Sequence, residues 1–248
     1  MNHTHRFDGK GEIYEKARPK YASELFEYLQ NTLHISAGSV FADIGSGTGI
    51  FTEQLLSCGY RVYAVEPSED MRRKAVEKLS GNEYFTSIDG TVSDTHLPDR
   101  SIDCVTAAQA FHWFDAESFR EECRRILKPG GKVLIVYNYR IPTAACTMAL
   151  AEVHRAYNPE FHGFSNGMSN EKCTAFYDEK CSLFRTDNTQ TYDREGYISC
   201  VLSSSYSIKE SDERYPKYLE VLGALFDRFA ENGRLAVPTD TITYIGKV

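Results

Sequence analysis

The chain has no run of apolar residues long enough to span a bilayer and no apolar leader ahead of a cleavage-like site, so neither membrane insertion nor secretion is expected of it. Basic charge is also short. With a formal net charge of −7 over 248 residues, the chain lacks the clustered Lys and Arg that neutralise nucleic-acid phosphates. The short run Arg72-Arg73-Lys74 stands among acids and reads as the solvated face of a helix. Paired cysteines are missing too: seven cysteines, with no C-x-x-C spacing, fit neither a disulfide framework nor a zinc site and are expected as reduced thiols in a cytoplasmic chain. His3 and His5 have no further ligand at hand, so no metal is expected there. No repeat or low-complexity tract interrupts the sequence, and its length suits one sizeable core.

What the chain does contain is three glycines in alternation, Asp43-Ile44-Gly45-Ser46-Gly47-Thr48-Gly49, directly after a short apolar run. Ser39 to Ile44 reads as a buried strand, and Ile50 to Leu56 as a helix that begins at once after the last glycine. Glycine tolerates positive φ and has no Cβ to hold a ligand off, while the first N–H groups of a helix lack intrahelical partners. A second apolar strand, Arg61 to Val65, ends in Glu66, 19 residues after Gly47. An acid at such a strand tip is placed to accept hydrogen bonds from two ribose hydroxyls. Nicotinamide-binding folds carry G-x-G-x-x-G; here the spacing is G-x-G-x-G with an acid in front.

The remaining pattern alternates. Ser23 to Leu33 and a helix from the N-cap Ser68 to Leu79 are followed by strands at Glu83 to Ile88, Asp103 to Ala108 and Lys132 to Tyr137, with a helix from Ala116 to Leu127 between the last two. This is the pattern of a parallel sheet covered by helices with right-handed connections. Beyond Asn138 the alternation lapses. Thr143 to Tyr157 reads as a helix and the polar stretch after it as a lid. Strand-like material returns at Ser182 to Tyr192 and Leu235 to Gly246, with helices near Arg194 to Leu202 and Glu213 to Phe229.

Several strings join the glycine loop: Phe7-Asp8-Gly9-Lys10 to Tyr14, Arg18-Pro19 with Tyr21, Glu66-Pro67-Ser68 with Met71, Leu97-Pro98, Ser101-Ile102-Asp103, Ala108-Gln109-Ala110-Phe111-His112-Trp113-Phe114-Asp115 and Leu127-Lys128-Pro129-Gly130-Gly131. On these the sequence resembles the class I methyltransferases that use S-adenosylmethionine, and within them the small-molecule group that includes trans-aconitate methyltransferase. The resemblance implies an α/β fold: a doubly wound, mostly parallel, Rossmann-like sheet of seven strands, with an antiparallel last strand inserted between the fifth and sixth and a helical lid. It implies one domain over 1–248, with an N-terminal cap segment at 1–35 and a lid-like insertion at 139–181.

S-adenosylmethionine is the cofactor the resemblance implies, bound by Tyr14, Arg18, Asp43, Gly45, Gly47, Gly49, Glu66, Pro67, Met71, Thr91, Val92, Gln109 and Phe111. Thr91-Val92-Ser93 stands where the family commonly shows Asp-Ala-Glu, so the adenine contact passes to the backbone N–H of Val92 unless Asp89 or Asp94 supplies an acid. His112 and Trp113 follow the fourth strand, where ligands lie beyond the carboxyl ends of parallel strands, and are the candidates for orienting the acceptor.

Other readings stay open. Asp43 also suits a turn cap that accepts backbone N–H groups, Met71 and Phe111 suit a core, and His112 suits a satisfied structural histidine. A carboxylate acceptor needs no base but a cationic clamp, for which Arg18 and Arg140 are available; a hydroxyl, amine or carbon acid would give His112 a proton to remove. An alternative acceptor is a quinone-like or other apolar ring in a cavity lined by Trp113, Tyr139, Phe161 and Phe164. Outside this class stand a nicotinamide-dependent oxidoreductase and a non-catalytic cofactor-binding protein. The expected partner is a small-molecule substrate, with no nucleic acid and no membrane, in a monomer or homodimer.

Overall fold

A computed structural model describes residues 18–164, 169–178 and 180–248. Tyr14, the string from Phe7 to Tyr14 and most of the lid's polar stretch at 165–168 lie outside the described residues.

Strand β1 (Val40–Ile44), β2 (Arg61–Val65), β3 (Phe85–Ile88), β4 (Ile102–Ala108) and β5 (Leu127–Arg140) pair in parallel in the order β3-β2-β1-β4-β5. The last strand, β9 (Thr239–Gly246), runs antiparallel to β5, and β6 (Ser182–Asp187) closes the sheet beyond it. This is the seven-stranded, doubly wound arrangement with its final strand inserted between the fifth and sixth. Strand order reverses between β1 and β4, which is where such sheets open a crevice at their carboxyl ends.

The central strands β1, β2, β4 and β5 are buried on both faces because apolar side chains predominate along them and alternate in direction. Along β5, Val133, Ile135 and Tyr137 join one core cluster while Leu134 and Val136 join the other. The second cluster is covered by α1 (Ser23–Asn31), α2 (Ile50–Ser57) and α3 (Glu69–Leu79) through Leu25, Leu29, Phe51, Leu55 and Leu79. The first is covered by α4 (Ala116–Ile126), whose Phe119, Cys123 and Ile126 face inward. Asp115 caps α4 by accepting the Ser118 N–H at 2.9 Å. Ser68 stands at the N-cap of α3 without a side-chain cap bond.

A third cluster has a core of its own. It joins α5 (Ala145–Tyr157), α7 (Arg194–Leu202), α8 (Tyr215–Phe229) and a two-stranded ribbon of β7 (Gln190–Tyr192) with β8 (Leu235–Val237). The helical cover over the carboxyl end of the sheet is therefore built from two stretches, one before β6 and one after it, and is larger than the segment 139–181. The polar stretch also holds a short helix, α6 (Asn170–Thr174), which no apolar period announces in the sequence. The Ser182 to Tyr192 and Leu235 to Gly246 stretches each split in two, because their halves pair with different sheets.

Candidate active site

The glycine turn leaves β1 and folds back so that the Gly45 and Ser46 N–H groups both donate to the Val65 carbonyl, at 2.8 and 3.2 Å. Its glycines take φ values of +68°, +56° and +80° at 45, 47 and 49, a region that side chains disfavour. Their surroundings differ. A Cβ on Gly45 would stand 2.9 Å from the Ala110 Cβ, so here the loop touches the turn after β4. A Cβ on Gly47 would meet nothing within 4 Å, because this residue borders the cavity. A Cβ on Gly49 would lie 2.8 Å from Leu79 Cδ1, and Gly49 does not line the cavity. Gly49 thus serves the close packing of α2 on α3.

Two acids underlie this loop. Asp43 is 1% exposed and accepts the Thr52 hydroxyl at 2.7 Å and the Thr106 hydroxyl at 2.8 Å, so hydroxyls rather than turn N–H groups are its partners. Burial pushes its carboxyl up to about 6, against the lowering by the two threonines, and the nearby Glu66 adds to the rise. Glu66 accepts the Gly47 N–H at 2.9 Å through one oxygen and the Ser68 N–H at 3.0 Å through the other. Burial raises its carboxyl too, opposed by those two N–H groups. Neither carboxylate has an ion-pair partner among the described residues.

Beyond Glu66 the cavity is bounded by Pro67, Met71, Thr91 and Val92. Met71 is buried in α3 and lines the cavity, so its core and cofactor-facing roles coincide. Asp89 and Asp94 do not line it: Asp89 pairs with Arg72 at 3.0 Å and Asp94 with His96 at 2.9 Å. Neither acid therefore reaches the cavity beside Thr91 and Val92. Arg72 is a residue whose importance the sequence hides. Its guanidinium donates to the Glu66 and Pro67 carbonyls at 2.9 and 2.7 Å, pinning the turn below Glu66, and is not on the solvated face of α3. Nothing in the charge pattern separates it from its neighbours Arg73 and Lys74.

At the tip of β4, Gln109 has φ +52°, an unusual value for a residue with a side chain. Its amide nitrogen donates to the Asn138 carbonyl at 3.0 Å, while its buried Oε1 has no partner among the described residues. The next turn divides its aromatic residues. Phe111 is buried against Phe114, Phe119 and Phe176 and does not line the cavity. His112 and Trp113 do line it, with ring centroids 4.6 Å apart. Burial, then the positive charge of Arg18, lowers the His112 imidazole to about 4.

The cavity, about 510 Å3, continues from these groups into the cover. Arg18 and Arg140 both reach it, as do Trp113 and Phe164; Tyr139 and Phe161, expected beside them, do not. Asn138 ties this half together: its amide donates to the Lys20 carbonyl at 3.1 Å and its oxygen accepts from Thr241 at 2.7 Å and from Asn188 at 3.0 Å. Among the described residues no helix is long and apolar enough to cross a membrane.

Known proteins resemble this architecture in sequence and in shape. Residues 42–135 match the family described as a methyltransferase domain. An uncharacterized methyltransferase of Geobacillus kaustophilus is 32% identical over 187 residues, covering 72% of this chain and 84% of that protein. One of Mycobacterium tuberculosis is 34% identical over 140 residues, 56% of this chain, and the match spans only 55% of that relative's length. In shape, a putative type II methyltransferase from Anaeromyxobacter dehalogenans superposes with a TM-score of 0.69 at 22% identity, over 93% of this chain and 97% of that one.

Proposed function

The chain belongs to the methyltransferase family, and from that membership we propose that it transfers a methyl group from S-adenosylmethionine to a small-molecule acceptor bound in the covered half of the cavity. The observation that carries the choice of cofactor is the pair of buried acids at the glycine loop that have no cationic partner among the described residues. A pyrophosphate laid on this turn would meet Asp43 and Glu66 at close range, whereas a ligand with ribose hydroxyls, an ammonium and a sulfonium would meet acceptors of the right kind. The open space at Gly47 and the unpartnered Oε1 of Gln109 fit the same ligand, the first by close approach and the second as an acceptor for an N–H.

When bound, S-adenosylmethionine supplies a methyl carbon activated by the adjacent sulfonium; the acceptor's lone pair forms the new bond as the carbon–sulfur pair stays on sulfur. The protein's part is to position the acceptor and keep water out. Tyr137 sets the form of His112. The phenol, held protonated by burial, accepts the His112 backbone N–H at 3.1 Å and lies 3.2 Å from Nδ1. With the hydroxyl donating a hydrogen bond to Nδ1, the neutral ring carries its proton on Nε2 as a donor, which suits holding an acceptor oxygen rather than removing a proton. An acceptor that arrives as an anion fits this arrangement because it has no proton to lose, and Arg140 supplies the cation such a group calls for. That reading agrees with the carboxylate acceptors implied by the resemblance to the trans-aconitate group.

Thermal unfolding tests the proposal. S-adenosylhomocysteine is expected to raise the melting temperature and NAD to leave it unchanged. Stabilisation by NAD alone would overturn it.

A further inference from the structure

Two polar groups stand out in the covered half of the cavity: a guanidinium with no ion pair and an imidazole nitrogen with no hydrogen bond among the described residues. Arg140 makes no ion pair among the described residues; its guanidinium contacts the Cys200 sulfur at 3.8 Å and lies 5.7 Å from the centroid of the Phe164 ring. A guanidinium that lines a cavity without a carboxylate is an anion site. The second group is His154 on α5. It is 1% exposed, it lines the cavity, and its Nδ1 has no hydrogen-bond partner among the described residues. A buried polar atom left without a partner keeps its desolvation cost uncompensated, so a ligand group that satisfies it is favoured there.

The two groups share one apolar wall. The His154 ring lies 5.9 Å from Phe164, the same ring that Arg140 covers, and 5.7 Å from Tyr206. Burial, then the charge of Arg140, lowers the His154 imidazole to about 4, so at neutral pH it is uncharged and offers one donor and one acceptor. A neutral imidazole beside a guanidinium divides the labour: the cation takes an acid, and the imidazole takes a group that can hydrogen-bond without charge. The aromatic rings of Phe164 and Tyr206 beside them, with Trp113 elsewhere on the same cavity wall, suit a flat apolar body.

Resting on the methyltransferase reading of this cavity, we infer that the acceptor is a hydroxylated aromatic acid, with its acid group on Arg140, its ring against Phe164 and Tyr206, and its hydroxyl hydrogen-bonded to His154. His154 is then a specificity-determining residue and Arg140 the anchor.

The experiment is calorimetric binding to the protein loaded with S-adenosylhomocysteine, using 3-hydroxybenzoate, 4-hydroxybenzoate and 4-hydroxyphenylacetate, each against its parent acid without the hydroxyl. At least one hydroxy acid is expected to bind 10-fold or more tightly than its parent, on the order of 1.4 kcal/mol. Arg140→Ala should weaken every acid about 10-fold or more. His154→Phe should erase the hydroxyl advantage while leaving the parent acids unchanged, and His154→Gln, which keeps a hydrogen-bonding group and guards against a folding defect in the first variant, should restore part of it. Equal binding of hydroxy and parent acids in the wild type, no binding of any acid, or an advantage that survives His154→Phe would each overturn the inference while the methyltransferase reading stood. Failure of S-adenosylhomocysteine itself to bind would instead overturn that reading, and the inference with it.

Discussion

The Tyr137 hydroxyl touches His112 twice, 3.1 Å from its backbone nitrogen and 3.2 Å from its Nδ1, so a single phenol fixes both the turn after β4 and the ring it presents to the cavity. The ring is lowered to about 4 and is neutral throughout the physiological range. His112 should therefore contribute no titration to turnover of the native acceptor between about pH 5.5 and 8, so any titration in that window should be unchanged in His112→Ala. His112→Ala is expected to raise acceptor KM roughly 10-fold with kcat changed only a few-fold, as for the loss of a positioning hydrogen bond. A fall in kcat of two or more orders of magnitude with a titration near 6.5 would assign it to proton removal instead.

Glu66 holds the glycine loop from below and borders the site proposed for the ribose. Replacing it with Ala removes the acceptor of the Gly47 and Ser68 N–H groups together with that for two hydroxyls. The affinity for S-adenosylhomocysteine should fall by roughly 1.5–3 kcal/mol, on the order of 10- to 150-fold in Kd by calorimetry. Unchanged affinity would make Glu66 a loop anchor only.

Asp43 gives a prediction with a sign. Its folded-state carboxyl stands at about 6 against an ordinary 3.8, so over that range the folded protein holds a proton that the unfolded chain has lost. Stability from this group is lost as pH rises through the window, and at pH 7 the buried carboxylate costs about 3 kcal/mol relative to its protonated form. Asp43→Asn should raise the melting temperature of the ligand-free protein at pH 7, with a smaller gain at pH 4, while weakening binding of S-adenosylmethionine. A variant less stable than wild type at pH 7 would contradict the assignment.

Gly45 and Gly47 should separate stability from binding. Gly45→Ala drives a Cβ into Ala110 at 2.9 Å in a positive-φ backbone and should cost roughly 1–3 kcal/mol of stability in urea unfolding. Gly47→Ala carries the φ strain without the clash, so it should cost less stability, and its methyl group at the cavity edge should weaken cofactor binding. Equal destabilisation by both would show that φ alone decides.

Much of this was legible in the chain because the signals are local. Alternating apolar runs fixed where β1, β2 and β4 lie, since a strand buried on both faces must be apolar throughout. Asp43, Glu66 and Gln109 could be placed because they stand at strand tips. Gly49 and Phe111 show what a motif does not carry: it names neighbours in sequence, yet only the packing of α3 and α4 decides which neighbour turns to the cavity and which to the core. Arg72 and His154 carried no signal at all. The first looks like any helical base, and the second gains its meaning from Arg140 and Phe164, which reach it only through the fold.

Strand β5 runs for 14 residues, from Leu127 to Arg140, and pairs with β9 along its final stretch, Arg140 opposite Thr239. The cation at the acceptor end is thus mounted on the same rigid rail that sets the height of the β4 tip, while the wall facing it belongs to a separately cored cover. Such a division separates two kinds of substitution. Substitutions in the cover can reshape what is recognised opposite a fixed charge, without disturbing the register that holds the glycine turn.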